Sequence, residues 1–391
     1  MYKKFFIRLS LLVIPLVILI LFVNIKVDSG FVIHNRSTEI AKILVSGSNA
    51  GIKYVPSKWG GLQIAIVKER LKSDKNPKKD IIVFGTSRSS EINSEIFPEN
   101  TFFNCAMPGG NVLDYIALYG LYKRNKILPK YLIISIDPWS FHARKSVTID
   151  KKIQFISDTT IPLEVNKDLV KDYQYALKSL NIKTNANFVT TGNKLSFDNI
   201  IELFNPNYFQ INIKSIFDKM VIKTNQSSIE SYFVLRSDGG YSLTPQSQID
   251  SLNVKDEAFK FIKIRNLDLF IKFDTTSNYW LYFRKLLAKM KADGVTPIVY
   301  ISPINPIVYS NLAKSSKVDL EKQIEKFCKA NGILIVGSFN PNKYGYRRVS
   351  NFFMDAYHPV NSVVKDVFYQ HATDLKAIGL NVSNKAAKLK K

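Results

Sequence analysis

The sequence predicts an α/β protein in which a parallel sheet is covered by helices on both faces. Short, continuous apolar runs, as found in strands buried on both sides, alternate with helical patterns. The apolar runs lie at 80–84, 101–105, 131–136, 296–301 and 333–336, and the helical patterns lie at 111–126, 280–293, 317–331 and after Pro359. Such alternation is typical of a parallel sheet between helical layers.

The composition supports a packed chain and excludes several other classes. Of 391 residues, 46% are hydrophobic and 22% are charged, which excludes disorder, collagen and coiled coil as the main architecture. The only two cysteines, Cys105 and Cys328, are too few for a disulfide framework or a four-ligand zinc site. The net charge is +23, but the lysines are spread along the chain without a nucleic-acid-binding motif. A lysine-rich composition explains this charge more simply than anionic lipid or an acidic glycan does.

The first residues predict a membrane anchor. Lysines precede an apolar run from Leu9 to Val23, and with its flanks this run approaches the ~20 residues that cross a bilayer. Positive charge on the amino side predicts a cytoplasmic N-terminus and a periplasmic or extracellular body. A signal-peptide cleavage site requires small residues just after the apolar run, and none follow this run closely. We therefore expect an uncleaved single-pass anchor over 1–26, rather than a signal peptide or a buried core helix.

The rest of the chain divides into two segments. Residues 27–79 have a helical pattern and end in a polar stretch with Pro77, which indicates a juxtamembrane segment. Residues 80–391 hold the predicted α/β domain. About 143–279, between the third and fourth predicted strands, is far too long for a single crossover connection, so we expect a large insertion there.

A serine follows the first predicted strand. In open α/β sheets, ligands bind at the carboxyl ends of the strands. Ser87 lies there, within Gly85-Thr86-Ser87-Arg88, where the amides at a helix start can stabilise an oxyanion. The alternative is an ordinary helix-capping serine. Arg88 is a candidate for holding an anionic substrate, although a solvated arginine is the default expectation.

An Asp-x-x-His motif near the end of the chain adds a base. In Asp355-Ala356-Tyr357-His358 the carboxylate can reach Nδ1 of the imidazole, which leaves Nε2 free to accept a proton. Serine, histidine and aspartate in this relation form the general arrangement for nucleophilic catalysis. The alternative is a plain loop hydrogen bond. The position of the motif, just before the final predicted helix, favours the catalytic interpretation.

The segments after the second and third strands supply further candidates. Gly109 or Gly110 would let the backbone approach a substrate and offer an amide, and Asn111 could add a side-chain donor. The alternative is a tight turn in which Asn111 caps the next helix, and both interpretations can hold together. Asp137, after the third strand, either positions the catalytic loop or opens the turn at Pro138.

Together these blocks resemble the SGNH/GDSL hydrolase superfamily over about 80–380, outside the insertion. The resembling blocks are Gly85–Arg88, Asn104–Gly110 and Asp355–His358. The resemblance implies Ser87 as nucleophile, His358 as base and Asp355 as its orienting partner, with oxyanion donors from Ser87 and from Gly109 or Gly110. It also implies a flavodoxin-like, three-layer α/β/α sandwich around a parallel five-stranded sheet.

One block departs from the superfamily pattern. Gly-x-Asn-Asp is usual after the third strand, but Ile136-Asp137-Pro138-Trp139 stands there, so Asn111 is the candidate replacement for the missing asparagine. The motifs Gly-x-Ser-Arg, Gly-Gly-Asn and Asp-Pro-Trp-Ser-Phe look more like the membrane-anchored branch, which includes proteins similar to the lipoteichoic-acid D-alanylation and alginate O-acetylation factors. In that branch the SGNH domain works beside a membrane-bound O-acyltransferase.

The expected function is therefore that of a membrane-anchored, extracytoplasmic serine esterase or O-acyltransferase. It would act on a cell-envelope polysaccharide or other acylated glycan through an acyl-serine, without a metal, an organic cofactor or a nucleic-acid partner. Two alternatives remain open. A non-catalytic accessory protein would bind glycan or scaffold a membrane-bound O-acyltransferase, and a basic tethering domain would bind lipid or polymer in a salt-sensitive way.

Overall fold

The structure is a computed structural model, and it describes the chain in segments. These are residues 2–28, 37–46, 50–53, 62–107, 110–141, 201, 203–217, 221–223, 234–242, 251–264, 278–313, 318–346 and 352–383. The strands are β1 (Ala50–Lys53), β2 (Ile81–Phe84), β3 (Phe102–Asn104), β4 (Tyr131–Ile136), β5 (Val221–Lys223), β6 (Val234–Arg236), β7 (Tyr241–Ser242), β8 (Thr296–Ile301) and β9 (Leu334–Gly337). The helices are α1 (Tyr2–Val27), α2 (Ser37–Ser46), α3 (Leu62–Ser73), α4 (Val112–Arg124), α5 (Pro206–Phe217), α6 (Ser251–Ile264), α7 (Asn278–Ala292), α8 (Pro306–Ala313), α9 (Val318–Ala330), α10 (Asn361–Gln370) and α11 (Ala372–Ala377).

A five-stranded parallel sheet organises the α/β body. Its strand order is β3-β2-β4-β8-β9, and every neighbouring pair is parallel. The predicted parallel sheet is thus confirmed, with strand limits that differ from the apolar runs by at most one or two residues. Because the strands are parallel, their carboxyl ends meet at one edge, which brings the segments after β2, β3, β4 and β8 together.

The two faces of this sheet are buried in two separate cores, because successive side chains of a strand point to opposite faces. On one face Ile82, Phe84 and Ile134 pack with buried residues of α4, α7 and α9. On the other face Ile81 and Ile133 pack with buried residues of α10 and α11. Burial on both faces explains why these strands appear in the sequence as continuous apolar runs.

A second, antiparallel sheet joins the juxtamembrane segment to the insertion. Its order is β5-β1-β6-β7, so β1 from residues 27–79 lies between two strands of the insertion. The juxtamembrane segment therefore contains a strand between its helices α2 and α3, which its helical pattern did not predict. A strand of four residues, with two of them Ala50 and Gly51, carries no alternation that a sequence pattern could reveal.

The turn between β6 and β7 attaches the insertion to the α/β body. The Asn104 N–H at the end of β3 donates to Asp238 O at 2.7 Å. The Asp238 carboxylate accepts hydrogen bonds from both the N–H and the hydroxyl of Ser94, at 3.0 and 2.8 Å. At Gly239, where φ is +81°, an added Cβ would lie 2.2 Å from Asn104 O. The backbone of the turn thus lies directly against β3.

We expect Gly239→Ala to lower the free energy of unfolding much more than Gly294→Ala. Both glycines have nearly the same positive φ, but a Cβ on Gly294 would meet nothing within 4 Å. Gly294→Ala therefore isolates the backbone cost of about 1–2 kcal/mol. Gly239→Ala adds a steric clash with β3 that costs a further ~1–3 kcal/mol. Urea unfolding followed by circular dichroism measures both, and equal losses would show that the turn does not press on β3.

The N-terminal helix α1 is long and apolar enough to cross a membrane. Its most apolar 18-residue window has a mean hydropathy of 2.9, and none of that window is buried against the rest of the protein. A helix of this kind near the N-terminus is a membrane anchor or a signal sequence.

Candidate active site

Ser87 lies just after β2, at the carboxyl edge of the parallel sheet. It begins a short 3₁₀ turn, Ser87–Ser89, whose capping residue is Thr86. Thr86 Oγ1 accepts a hydrogen bond from the Arg88 N–H at 3.2 Å. Thr86 rather than Ser87 therefore caps this turn, so the capping role considered for Ser87 is not observed. Ser87 itself is partly exposed.

The structure brings Ser87, His358 and Asp355 together in hydrogen-bond contact. Ser87 Oγ lies 2.8 Å from His358 Nε2, and His358 Nδ1 lies 2.6 Å from Asp355 Oδ2. The other carboxylate oxygen, Asp355 Oδ1, accepts hydrogen bonds from the N–H groups of Tyr357 and His358, both at 2.8 Å. The order serine, imidazole, carboxylate is the one in which histidine can take a proton from the serine hydroxyl.

The surroundings of Asp355 favour its charged form. Burial alone would raise its pKa, but the His358 charge, the His358 hydrogen bond and two backbone N–H groups outweigh burial and hold the pKa below its ordinary value. At neutral pH Asp355 is thus a carboxylate, and in the uncharged form of His358 it holds the imidazole proton on Nδ1, which leaves Nε2 as acceptor. This carboxylate stabilises the fold above its unfolded pKa of about 3.9. That contribution is lost as pH falls through the lower folded-state pKa.

A narrow loop holds Asp355 and His358 in place. Met354 N donates to His358 O at 2.9 Å, and Phe353 pairs with Pro359 in an isolated antiparallel bridge. The Asn305 side-chain amide, at the start of α8, donates to Asp355 O at 3.0 Å. These contacts close the Asp-x-x-His turn on itself and tie it to the segment that follows β8.

Arg88 neither holds an exposed anion nor is solvated, which corrects both expectations for it. Its guanidinium is fully buried and forms an ion pair with the equally buried Asp137. Its Nε donates to Tyr357 O at 2.9 Å, and Nη2 donates to Ser302 O at 2.6 Å and Pro303 O at 2.7 Å. Arg88 therefore joins the ends of β2, β4 and β8 to the loop that carries His358.

Asp137 has a positioning role at this site. Besides its ion pair with Arg88, it accepts a short hydrogen bond from the Thr86 hydroxyl. Thr86 and Arg88, the residues on either side of Ser87, are thus both bound to the Asp137 carboxylate. Of the two roles predicted for Asp137, the structure supports positioning of the nucleophile segment.

Of the two glycines predicted to donate a backbone N–H to an oxyanion, the structure describes Gly110. Gly109 lies outside the described residues. The Gly110 N–H donates to Met107 O at 3.0 Å, so the donor role predicted for that amide does not fit this loop conformation. Gly110 instead allows a close approach, since an added Cβ would lie 2.9 Å from Gly85 O.

Asn111 caps the helix that follows the glycines. Its Oδ1 accepts hydrogen bonds from the N–H groups of Leu113 and Asp114 at 3.0 and 3.3 Å. The Asp114 carboxylate accepts the Asn111 N–H at 2.9 Å in return, which completes a capping box. The capping alternative for Asn111 is therefore observed, and its role as a replacement oxyanion donor stays a prediction.

Aromatic side chains to which the sequence analysis gave no role pack together beside His358: Tyr357 contacts the imidazole, and Trp139 and Phe261 contact Tyr357. The Tyr357 ring centroid lies 4.4 Å from that of His358, 5.8 Å from that of Trp139 and 5.3 Å from that of Phe261. Phe261 belongs to α6, within the insertion. The insertion thus reaches the loop that carries Asp355 and His358, through the contact of Phe261 with Tyr357.

The two cysteine thiols are buried and are not in the reactive thiolate form. Burial raises the pKa of the Cys105 and Cys328 thiols to about 12, so both are protonated at neutral pH. Among the described residues, no group of three or more His, Cys, Asp and Glu side chains could hold a metal ion.

The fold and this site define a class of protein: a mixed α/β protein with serine, histidine and aspartate joined by hydrogen bonds at the carboxyl edge of its parallel sheet. The chain belongs to the family described as "Protein of unknown function (DUF1574)", whose model matches residues 6–367. The matched range includes most of α1, all described strands of both sheets and the three residues of the site. No curated protein matches the chain.

Proposed function

We propose that this protein is a membrane-anchored, SGNH-like serine esterase or O-acyltransferase. The observation that carries the proposal is the 2.8 Å contact between Ser87 Oγ and His358 Nε2, with Asp355 bound to the opposite ring nitrogen. A hydroxyl that only stabilised a loop would not need a histidine whose tautomer is fixed by a partly buried carboxylate. The strand order supports an SGNH-like fold, because numbering the five parallel strands along the chain gives 2-1-3-4-5, the flavodoxin-like order.

The reaction has two steps. Ser87 Oγ attacks the carbonyl carbon of an ester while His358 Nε2 takes the hydroxyl proton. The tetrahedral intermediate then expels the alcohol, which receives this proton from His358, and an acyl-serine remains. Water (in an esterase) or a sugar hydroxyl (in a transferase) next gives a proton to His358 and attacks the acyl-serine. The second tetrahedral intermediate expels Ser87 Oγ, which takes the proton back from His358, and the acyl group leaves as a free acid or as the new sugar ester. Among the described residues none accepts the Ser87 N–H, which suits this amide to stabilise the oxyanion.

The substrate in this proposal is an acylated cell-envelope polysaccharide or another acylated glycan outside the cytoplasm. The anchor would place the domain on the periplasmic or extracellular side, beside a membrane-bound O-acyltransferase if the protein transfers acyl groups. The aromatic side chains of Tyr357, Trp139 and Phe261 provide apolar surface next to the base.

One observation favours a second candidate, a non-catalytic scaffold for such an acyltransferase. The residue after β4 is Asp137, which is fully buried and bound by Arg88 and Thr86. It cannot donate a hydrogen bond to an oxyanion, so this position lacks the donor that an asparagine would supply. In the scaffold the serine and histidine would have no covalent chemistry.

Labelling with a fluorophosphonate probe separates the two candidates. We expect the full-length protein in detergent to be labelled, and Ser87→Ala and His358→Ala to lose the label while remaining folded by circular dichroism. Ser310→Ala and His371→Ala are the matched controls. Ser310 is exposed, and His371 is likewise paired with an aspartate three residues away, in the reverse order along the chain, with Nδ1 3.5 Å from Asp374. Absence of label on the folded wild type, or label that survives Ser87→Ala, would favour the scaffold.

A further inference from the structure

The outer end of α1 is bound to the insertion through buried polar groups. Asn24, near the end of α1, is fully buried, and its amide donates to Leu203 O at 2.7 Å. The Asn212 side-chain amide donates to Asn24 Oδ1 at 2.9 Å, and the Tyr208 hydroxyl donates to Asp28 Oδ1 at 2.7 Å. A helix that was removed as a signal sequence would leave the buried amide of Asn212 and its surroundings without these partners.

These contacts also fix the direction of α5 relative to α1. Tyr208 lies beside Asp28, and Asn212, one helical turn further along α5, lies beside Asn24, one turn back along α1. The two helices are therefore antiparallel, and α5 runs toward the apolar middle of α1. By the same spacing Ile216 lies one turn deeper than Asn212, at about the level of Ile20.

The depth of this contact can be placed relative to a bilayer. The stretch from Phe5 to Val23, which is apolar except for Arg8 and Ser10, is about 28 Å long at the α-helical rise, close to the ~30 Å hydrocarbon core. Asn24 then lies at the outer boundary of that core. A polar amide at this depth is stabilised by the hydrogen bonds that Leu203 and Asn212 supply.

The insertion exposes large apolar side chains at this level. Ile201, Phe204 and Ile216 are 54%, 49% and 55% exposed, and they lie on the segment that binds the end of α1. Exposed apolar side chains of this size are costly in water, but they continue the apolar surface of α1. Lipid is the partner that covers α1 in a membrane, and its acyl chains reach the same boundary.

We propose that α1 is retained and that residues 201 and 203–217 form a second membrane-contacting element. In this arrangement α5 packs on α1 within the outer interfacial zone, and Phe204 and Ile216 contact lipid acyl chains. The inference concerns membrane contact and is independent of the proposed catalysis, although it requires that α1 crosses the membrane.

Depth-dependent fluorescence quenching tests this proposal in the full chain. Phe204→Cys and Ile216→Cys are labelled with an environment-sensitive dye and reconstituted into phosphatidylcholine vesicles that contain lipids brominated near the headgroup or near the chain end. Leu281→Cys and Tyr369→Cys, which replace exposed apolar residues of α7 and α10, are the matched water-exposed controls, and Leu12→Cys in α1 is the deep control. Unsubstituted protein, with its two buried cysteines, measures background labelling.

We expect the dyes at 204 and 216 to lose most of their fluorescence with lipids brominated near the headgroup, and the dyes at 281 and 369 to lose none. Intact mass spectrometry of protein purified from membranes should show that residues 2–28 are present. Quenching at 204 and 216 no stronger than at 281 and 369 would overturn the lipid contact. Cleavage of α1 would show that it is not retained. Absence of quenching at position 12 by lipids brominated near the chain end would show that α1 does not cross the membrane. Either result would overturn the proposal. None of these measurements depends on whether Ser87 is catalytically active.

Discussion

Asp355→Asn is expected to lower kcat for ester cleavage by about 10³–10⁴-fold while leaving the protein folded. The reason lies in the orientation that the loop imposes on an amide at this position. Asp355 Oδ1 accepts two backbone N–H groups, so the oxygen of the asparagine would stay there. Its NH₂ group would then face His358 Nδ1 and donate to it. The imidazole proton would move to Nε2, which could no longer accept the proton of Ser87.

Initial rates of p-nitrophenyl acetate hydrolysis and rates of fluorophosphonate labelling measure this effect. The matched control is Asp374→Asn, which changes the other Asp–His pair of the described chain, with an aspartate that is largely exposed. We expect the control to keep activity within about twofold, since an exposed pair contributes little. Activity of Asp355→Asn close to that of the wild type would show that the carboxylate does not set the tautomer of His358.

Arg88→Met is expected to lower the free energy of unfolding by about 3–5 kcal/mol. The substitution leaves Asp137 as a fully buried carboxylate whose ion-pair partner is gone. It also removes the donor to the carbonyl groups of Ser302, Pro303 and Tyr357. Fluorophosphonate labelling should fall as well, because the loop that carries His358 loses its attachment to the end of β2.

A second substitution separates the effect of the unpaired Asp137 charge on stability from the effect of the lost Arg88 hydrogen bonds. Adding Asp137→Asn to Arg88→Met removes the unpaired charge, so we expect the double variant to recover part of the lost stability. Lys72→Met, which breaks the exposed pair with Glu69, is the control and should cost about 0–1 kcal/mol. Urea unfolding measures all three variants. A loss below about 1 kcal/mol for Arg88→Met would mean that the buried pair does not hold this edge of the sheet.

The parallel sheet could be predicted because its strands are buried on both faces. Such strands appear as continuous apolar runs, and β4 and β8 begin and end where those runs do. Strands of two to four residues are too short to show such a pattern, which is why the antiparallel sheet was not predicted. Helix α8 was also missed, although Asn305-Pro306 has the order of a capping residue followed by proline at the first helical position.

The site could be predicted only where its contacts are local in sequence. The Asp355–His358 contact lies within one turn, and Ser87 directly follows a recognisable strand, so both stood out. Arg88 binds carbonyl groups more than two hundred residues away, and no pattern around Arg88 indicates them. Phe261 reaches the catalytic loop from the insertion, and only the folded packing of α6 shows this.

The contact between Ser87 and His358 closes a loop of 271 residues, and the neighbouring contact between Arg88 and Tyr357 closes one of 269. Contacts with such large sequence separation form late, because the entropy of closing the loop has to be offset by structure that is already present. A chain that is exported from its N-terminus would therefore hold Ser87 outside the cytoplasm well before the base reaches it. In such a chain the serine would stay unactivated until nearly the whole chain had been translocated and folded. For the purified protein we therefore expect recovery of fluorophosphonate labelling during refolding to lag behind recovery of secondary structure.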